Sequence, residues 1–184
     1  GQLFLPRDDE ARAELQRVVA DVLADEGLDC CHWRAVPTDN EGLGATALAS
    51  EPVVYQCFVA PDDDRSTEEF DRSLYVARRA VEQAVEERAE ADDDLDADRF
   101  YVCSLDRQTL VYKGLLKGDQ LAGYYPDLRD ERLGSTFALV HARFSTNTLG
   151  AWHLAHPYRN VVHNGEINTI QGNVNWMTDR KSVV

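Results

Sequence analysis

The sequence is short of lysine and has no long apolar run. Only three lysines accompany sixteen arginines among its 184 residues. No apolar stretch approaches the roughly 18 residues that a membrane-spanning helix needs, and the first ten residues lack the basic start and apolar core of a signal peptide. From these absences we predict a cytoplasmic protein without a membrane partner.

Positive charge is scarce as well, because the formal net charge at pH 7 is -14. A surface of this sign repels phosphate backbones, which excludes nucleic acid as a partner. An acidic, lysine-poor exterior also suits high salt, where screening weakens self-repulsion, so the composition favours a halophilic origin. The length is that of one domain, which would bury roughly 70% of the surface that its unfolded chain exposes.

Cysteine is present, but not in a spacing that is typical of metal sites. The four cysteines are Cys30, Cys31, Cys57 and Cys103, and none of them forms a CxxC motif. The adjacent pair would point to opposite faces of a strand. The pattern therefore predicts buried free thiols rather than disulfides or a zinc site.

In the first half of the chain, apolar residues predict strands that alternate with helices. Strands are predicted at 2–5, 28–33 and 53–59. One amphipathic helix should begin after Asp8 and end at Gly27, and a second should begin at a capping box formed by Ser66 and Glu69. The connection 38–50 should be irregular, and the acidic stretch 92–98 should be a solvated linker.

In the second half the pattern changes to consecutive strands. We predict a hairpin with strands 100–105 and 109–115 around the turn 106–108, and a short helix at 119–125. Strands should follow at 135–143 and 158–163, and after a loop at 164–166 a final helix capped by Asn168. This order of elements predicts a layered α+β domain.

Polar side chains that could bind a substrate or take part in catalysis are concentrated between residues 141 and 176. Arg143 should lie at the end of a strand, followed by the hydroxyl and amide side chains of Thr146 and Asn147. A guanidinium can donate two parallel hydrogen bonds to a carboxylate, so this group is suited to binding one. A surface ion pair is the alternative interpretation.

A second candidate is the Asn164-Gly165 pair. The asparagine amide is a donor, and glycine allows a turn that directs a backbone N–H into a cleft, as in an oxyanion hole. A plain Asn-Gly turn is the alternative. A metal site formed by His153, His156, His163 and Glu166 is disfavoured, because the first two lie in a loop without a helix to hold them.

Four motifs in this region occur together in one family. They are RFSTNT at 143–148, LAHP at 154–157, HNGEINT at 163–169 and GNVNWM at 172–177. Shorter stretches upstream agree with the same family: FLPR at 4–7, SEP at 50–52, FYV at 100–102, VYKG at 111–114 and YPDLRD at 125–130. The chain thus resembles the class II glutamine amidotransferase domain of glutamate synthase large subunits over nearly its whole length.

This resemblance implies an N-terminal-nucleophile hydrolase, with a four-layer αββα sandwich that is incomplete at both ends. In that family an N-terminal cysteine attacks the side-chain amide of glutamine, with its own α-amino group as the base. The motifs then imply that Arg143 binds the α-carboxylate of L-glutamine and that Thr146 and Asn147 line the pocket. They also imply that Asn164 and Gly165 form the oxyanion hole.

The sequence departs from the family pattern at the nucleophile. Residue 1 is glycine, and none of the four cysteines has the nucleophile's sequence context. The family's aspartate for the glutamine amino group would also lie beyond the position matched by Val184. We therefore expect residues 1–184 to be an internal segment, a partial amidotransferase domain that is inactive by itself.

The resemblance also implies partners outside these residues. The synthase portion of the same polypeptide would use the released ammonia for reductive amination of 2-oxoglutarate in glutamate biosynthesis. It would carry FMN and a 3Fe-4S cluster, with no cofactor in this segment, and a small electron-donating subunit or ferredoxin would supply electrons. Two alternatives remain at this point: an amidotransferase subunit that feeds another synthase, and a non-catalytic module that binds glutamine or a partner.

Overall fold

The computed structural model describes residues 1–92, 95–142, 150–159 and 175. Its four strands are β1 (Gln2–Leu5), β2 (Leu28–Ala35), β3 (Val53–Pro61) and β4 (Tyr101–Ser104). Its four α-helices are α1 (Asp9–Asp25), α2 (Ala45–Ala49), α3 (Thr67–Ala91) and α4 (Leu121–Tyr124), and a 3-10 helix follows at Pro126–Arg129.

The strands form one antiparallel sheet in the order β2-β3-β1-β4. β1 lies inside the sheet, where Leu3 is opposite Tyr55 of β3 and Val102 of β4. All four residues of β1 are buried. Both faces of this strand are therefore covered, which explains why its sequence is a continuous apolar run after Gln2 rather than an alternation.

Helices α1 and α3 cover one face of the sheet. Their buried residues recur at helical spacing: Leu15, Val19 and Leu23 in α1, and Leu74, Ala77, Val81 and Val85 in α3. These side chains meet Leu3, Leu5 and Val102 of the sheet in one apolar cluster. Each fully buried Leu or Val stabilises the fold by about 1.5–3 kcal/mol relative to an exposed one.

The ends of the two long helices follow the capping signals in the sequence. The Asp8 carboxylate accepts hydrogen bonds from the backbone N–H groups of Glu10 (3.1 Å) and Ala11 (2.8 Å). Gly27, with φ of 68°, follows α1, and a Cβ there would lie 2.7 Å from Nη2 of Arg65. The positive φ favours glycine here, whereas the Arg65 side chain could move aside to make room for a Cβ.

Replacement of Ser66 by alanine should lower the free energy of unfolding by about 1 kcal/mol. Its Oγ accepts a hydrogen bond from the Glu69 N–H at the start of α3, and the Glu69 carboxylate accepts one from the Ser66 N–H. Urea unfolding would measure the loss. Ser66→Asp keeps a capping oxygen and should stay close to the unmodified protein, so an equal loss in both variants would contradict the role of the cap.

A second apolar cluster covers the other face of the sheet. It includes Phe4, Val54, Cys103, Val111, Tyr124, Tyr125 and Trp152. The carboxylate of Glu51 is buried at its border, where it accepts hydrogen bonds from Asn40 (3.0 Å) and the Tyr124 hydroxyl (2.9 Å) and pairs with Arg7. These contacts fix the chain before β3 to the short helix α4.

The predicted strand at 109–115 is wrong, although the turn before it is confirmed. Asp106 accepts hydrogen bonds from the N–H groups of Gln108 (2.7 Å) and Thr109 (2.8 Å). Beyond that turn, side chains satisfy the backbone: the Val111 N–H donates to Ser104 Oγ (3.2 Å), and its carbonyl accepts from Gln2 Nε2 (2.9 Å). Residues 109–115, all of which the structure describes, contain no strand residue.

The predicted strand at 135–143 is also wrong for 135–142, the part that is described. Phe137 is 74% exposed and Val140 76% exposed. The two residues belong to opposite faces of the predicted strand, so neither face is buried. A strand needs a hydrogen-bonded neighbour, and 135–142 contains no strand residue.

Smaller differences concern three other segments. The predicted helix at 119–125 is confirmed only as α4, because Pro126 holds Tyr125 in an extended conformation (ψ 92°). The predicted irregular connection 38–50 contains the helix α2. The predicted linker 92–98 is not fully solvated, since Leu95 and Ala97 pack against the helical cluster.

The mixture of helices with an antiparallel sheet confirms the α+β class. A helical layer covers one face of the sheet, and aromatic side chains from α4 and from Trp152 cover the other. The four-layer sandwich contains a second sheet, which the described part of the chain does not include.

Candidate active site

The segment 150–159, which we call the junction segment, lies in sequence between the two predicted site motifs. Its Trp152 is buried and donates a hydrogen bond from Nε1 to the Ala47 carbonyl (3.0 Å). The indole also meets the Phe4 ring edge to face at 6.0 Å. A Cβ at Gly114 would lie 2.6 Å from this indole, so only glycine allows the junction segment to approach so closely.

Lys113, the neighbour of Gly114, contacts the junction segment through its ammonium group. Its side chain is 1% exposed, and Nζ donates a hydrogen bond to the His153 carbonyl (2.7 Å). Nζ also lies 4.2 Å from the ring centroid of Tyr101 and 4.8 Å from that of Tyr158. Burial lowers the pKa of the ammonium to about 8, while the two ring faces favour its charged form.

The junction segment also contacts the residues that precede Arg143. The rings of His141 and His156 are stacked, with centroids 4.4 Å apart. A cavity of about 90 Å³ lies beside them, and Gly114, Ala142 and Pro157 are among its lining residues. The chain that leads to the first predicted motif is thus adjacent to the chain that leads to the second.

The four cysteines are free thiols, as predicted, but they differ in burial. Cys57 and Cys103 are buried and Cys30 is half-buried, whereas Cys31 is exposed at a register shift of β2. Burial raises the pKa of Cys103 to about 12 and that of Cys30 to about 11, and it also raises the pKa of Cys57. These three thiols are therefore weak nucleophiles at neutral pH.

A polar network ties the sheet to the 3-10 helix. Arg34 donates to both carboxylate oxygens of Asp127 (2.8 and 2.7 Å) and to Gln56 (2.9 Å). The Tyr112 hydroxyl donates to the same carboxylate (3.0 Å). These hydrogen bonds, that of Arg34 foremost, lower the pKa of Asp127.

Asp127→Asn should lower the free energy of unfolding at pH 7 by about 1–2 kcal/mol, since the pair is partly exposed. The pKa of Asp127 is lower in the folded protein, so its ionisation stabilises the fold above the unfolded pKa of roughly 3.9. That contribution is lost as pH falls through the folded value. Urea unfolding across this range should show the two proteins converging in acid. Asp119→Asn, at an exposed position, is the matched control, and a constant difference at every pH would contradict the assignment.

The five residues predicted to form the site lie outside the described residues. They are Arg143, Thr146, Asn147, Asn164 and Gly165. His163, a member of the disfavoured metal set, also lies outside, as do most of the predicted strand at 158–163 and the final helix. Among the residues that the structure does describe, no three His, Cys, Asp or Glu side chains gather where they could hold a metal ion, and no helix is long and apolar enough to cross a membrane.

The comparison with known families decides to which family the chain belongs. The family of glutamine amidotransferases class-II matches residues 1–184. The chain belongs to this amidotransferase family. Its resemblance to that family, first seen in the motifs, is thereby confirmed.

Several curated relatives of this chain are glutamate synthases. Ferredoxin-dependent glutamate synthase 2 of Arabidopsis thaliana is 44% identical over 182 residues, 99% of this chain. The glutamate synthase [NADPH] large chains of Azospirillum brasilense and Bacillus subtilis are 42% and 41% identical over 178 and 182 residues, 96% and 98% of the chain. The match spans 11% of the length of each relative. These relatives do not favour the two alternative functions.

Lys113 is the feature of this amidotransferase that the sequence motifs left without a role. It was quoted only as part of VYKG. Its signal was present in the sequence, because it is one of three lysines and lies between the apolar pairs Val111-Tyr112 and Leu115-Leu116. A lysine in such a run is expected to be buried only where its ammonium has partners.

Proposed function

We propose that these residues form part of the glutaminase domain of a glutamate synthase, which hydrolyses L-glutamine to glutamate and ammonia. Two observations support this. The family match extends over the whole chain, and the stacked rings of His141 and His156 bring the approaches to both predicted motifs together. The family match carries the proposal, and the stack is consistent with it, because a glutamine site would need Arg143 and the Asn164-Gly165 pair around one cavity.

In the proposed reaction, each group of the site has one task. The Arg143 guanidinium binds the substrate α-carboxylate, and Thr146 and Asn147 complete the pocket. A cysteine thiolate attacks the side-chain carbonyl, and Asn164 with the Gly165 backbone N–H donates hydrogen bonds to the resulting oxyanion. The carbon–nitrogen bond then breaks with protonation of the leaving ammonia, and water hydrolyses the remaining glutamyl thioester to glutamate.

We further propose that the nucleophilic cysteine lies outside residues 1–184. The raised pKa values of Cys30, Cys57 and Cys103 support this proposal, since the thiolate is the attacking form, and Cys31 lies in β2 without the sequence context of the family's nucleophile. The complete domain would then have the four-layer αββα sandwich, with the present sheet as one of its two central layers. A cytoplasmic location and a halophilic origin stay predictions.

The synthase part of the longer protein would receive the ammonia and add it to 2-oxoglutarate. FMN, a 3Fe-4S cluster and an electron-donating subunit or ferredoxin would belong to that part. Relatives named as ferredoxin-dependent support ferredoxin as one class of donor. We assign none of these groups to residues 1–184 and derive no step through them.

The proposal is tested by measuring ammonia release from L-glutamine with the full-length protein. Steady release, and covalent labelling of one cysteine by an electrophilic glutamine analogue, are the expected results. A full-length protein that binds glutamine without releasing ammonia would instead support the non-catalytic module. The protein could instead release ammonia and fail to convert added 2-oxoglutarate to glutamate in the presence of an electron donor. That result would support a different synthase as the acceptor of the ammonia.

A further inference from the structure

Lys113 is a buried cation whose described contacts include no carboxylate. The ammonium donates to the His153 carbonyl, and the remaining contacts described around it are the ring faces of Tyr101 and Tyr158. A buried charge is costly unless its surroundings compensate for it. A carbonyl and two aromatic faces supply that compensation, so the cation is held by the elements that provide them.

These partners come from different parts of the chain. Tyr101 begins β4, whereas His153 and Tyr158 belong to the junction segment. Arg159 reinforces the same connection: its Nη2 donates to the Val102 carbonyl (3.0 Å) and to the Glu82 carboxylate (3.1 Å). The ammonium thus joins the sheet to the junction segment at a point where Gly114 already requires close approach.

The junction segment connects the two motifs of the proposed site along the chain. Residues 143–147 precede it, and residues 164 and 165 follow it closely. In the proposed site, the position of 150–159 would therefore set the separation of the groups that bind the carboxylate and the oxyanion. Misplacement by about 1 Å can cost a hundredfold in rate.

We propose that Lys113 is a positioning residue of the glutaminase site, and that its buried ammonium holds the junction segment against Tyr101 at the start of β4. This inference rests on the function proposed above. Lys113 touches neither substrate nor nucleophile in this assignment. It acts through the segment whose backbone and tyrosine it contacts.

The first test replaces Lys113 by methionine, which keeps the length of the side chain and removes the charge. In the full-length protein, Lys113→Met should lower kcat/KM for L-glutamine about tenfold or more, mainly through kcat, since oxyanion stabilisation is most sensitive to geometry. Lys117→Met, at an exposed lysine, is the matched control and should be unchanged. Unaltered kinetics in a folded Lys113→Met protein would overturn the inference.

The pH dependence of kcat/KM gives a second test, which does not require a variant with an uncharged residue at position 113. The groups that face the ammonium are His153, Arg159 and Cys103, besides the two tyrosines. Burial lowers the pKa of Lys113 to about 8, an interaction with Cys103 opposes this shift, and repulsion from Arg159 adds a smaller lowering. Above that pH the ammonium loses its proton, so kcat/KM should fall on the alkaline side.

Lys113→Arg keeps a cation to much higher pH, so the alkaline fall should move upward in this variant. If Lys113→Met does not fold, the profiles of the unmodified protein and of Lys113→Arg decide the question. If kcat/KM falls at the same alkaline pH in the unmodified protein and in Lys113→Arg, the positioning role is rejected. A full-length protein without any ammonia release would instead reject the proposed function, so the two failures are distinguishable.

Discussion

Arg143→Ala is expected to lower kcat/KM for L-glutamine roughly 150-fold in the full-length protein, which corresponds to a loss of about 3 kcal/mol of transition-state stabilisation. The reason is the paired charge: without the guanidinium, the substrate α-carboxylate loses two charge-assisted hydrogen bonds as it enters the site. Initial rates of ammonia release over a range of glutamine concentrations would measure the change. Most of it should appear in KM, because the carboxylate is bound before and during the reaction.

Arg143→Lys separates charge from geometry. A lysine keeps the positive charge but cannot donate the two parallel bonds of a guanidinium, so this variant should fall between Arg143→Ala and the unmodified protein. Arg129→Ala, at an exposed arginine of the 3-10 helix, is the matched control and should be unchanged. If Arg143→Ala retains full kcat/KM, the carboxylate is bound elsewhere and the role proposed for Arg143 is wrong.

Asn164→Ala should lower kcat by about 100- to 1,000-fold, which corresponds to about 2.7–4 kcal/mol for one oxyanion donor. Negative charge develops on the carbonyl oxygen only after the thiolate attacks, so the missing amide affects the transition state more than the bound substrate. KM should therefore change little. Steady-state kinetics with L-glutamine would separate the two constants.

Asn164→Asp provides the graded comparison for this assignment. It keeps the size of the side chain, removes the N–H donor and places an acceptor beside the developing oxyanion, so kcat should be at least as low as in Asn164→Ala. A change confined to KM in either variant would argue against the oxyanion role. It would instead favour a substrate-binding contact or the plain Asn-Gly turn.

Local signals predicted the first half of the fold well. The side chains of Asp8 and Ser66 cap the two long helices because each is a short polar side chain directly before an apolar helical pattern. Gly27 ends the first helix for a backbone reason that is also local. β1, α1, β2, β3 and α3 could therefore be located to within a few residues.

The second half needed long-range information. The residues at 109–115 read as a strand, but whether a strand forms depends on a backbone partner, and here Gln2 and Ser104 satisfy the backbone of Val111 instead. The apolar alternation at 135–142 likewise specifies two faces without specifying what would cover them. The apolar periodicity of one segment predicts which of its residues share a face, but it does not predict which second segment will form hydrogen bonds with it.

The candidate site shows the same division. Long motifs identified the family and named Arg143 and Asn164, whose roles stay predictions. No motif showed that Lys113 contacts the His153 carbonyl, because those residues are 40 positions apart. That contact depends on Gly114 and Trp152 bringing the junction segment onto the sheet.

The central position of β1 has a consequence for synthesis of the protein. Leu3 pairs with Tyr55 and Val102, so β1 cannot complete its hydrogen bonds until about 100 more residues have been made. At about 5–20 residues per second, this delay is on the order of 5–20 s. During that time the apolar side chains of β1 are available to chaperones, and helix α1, which follows directly and can form from local contacts, can begin to shield them.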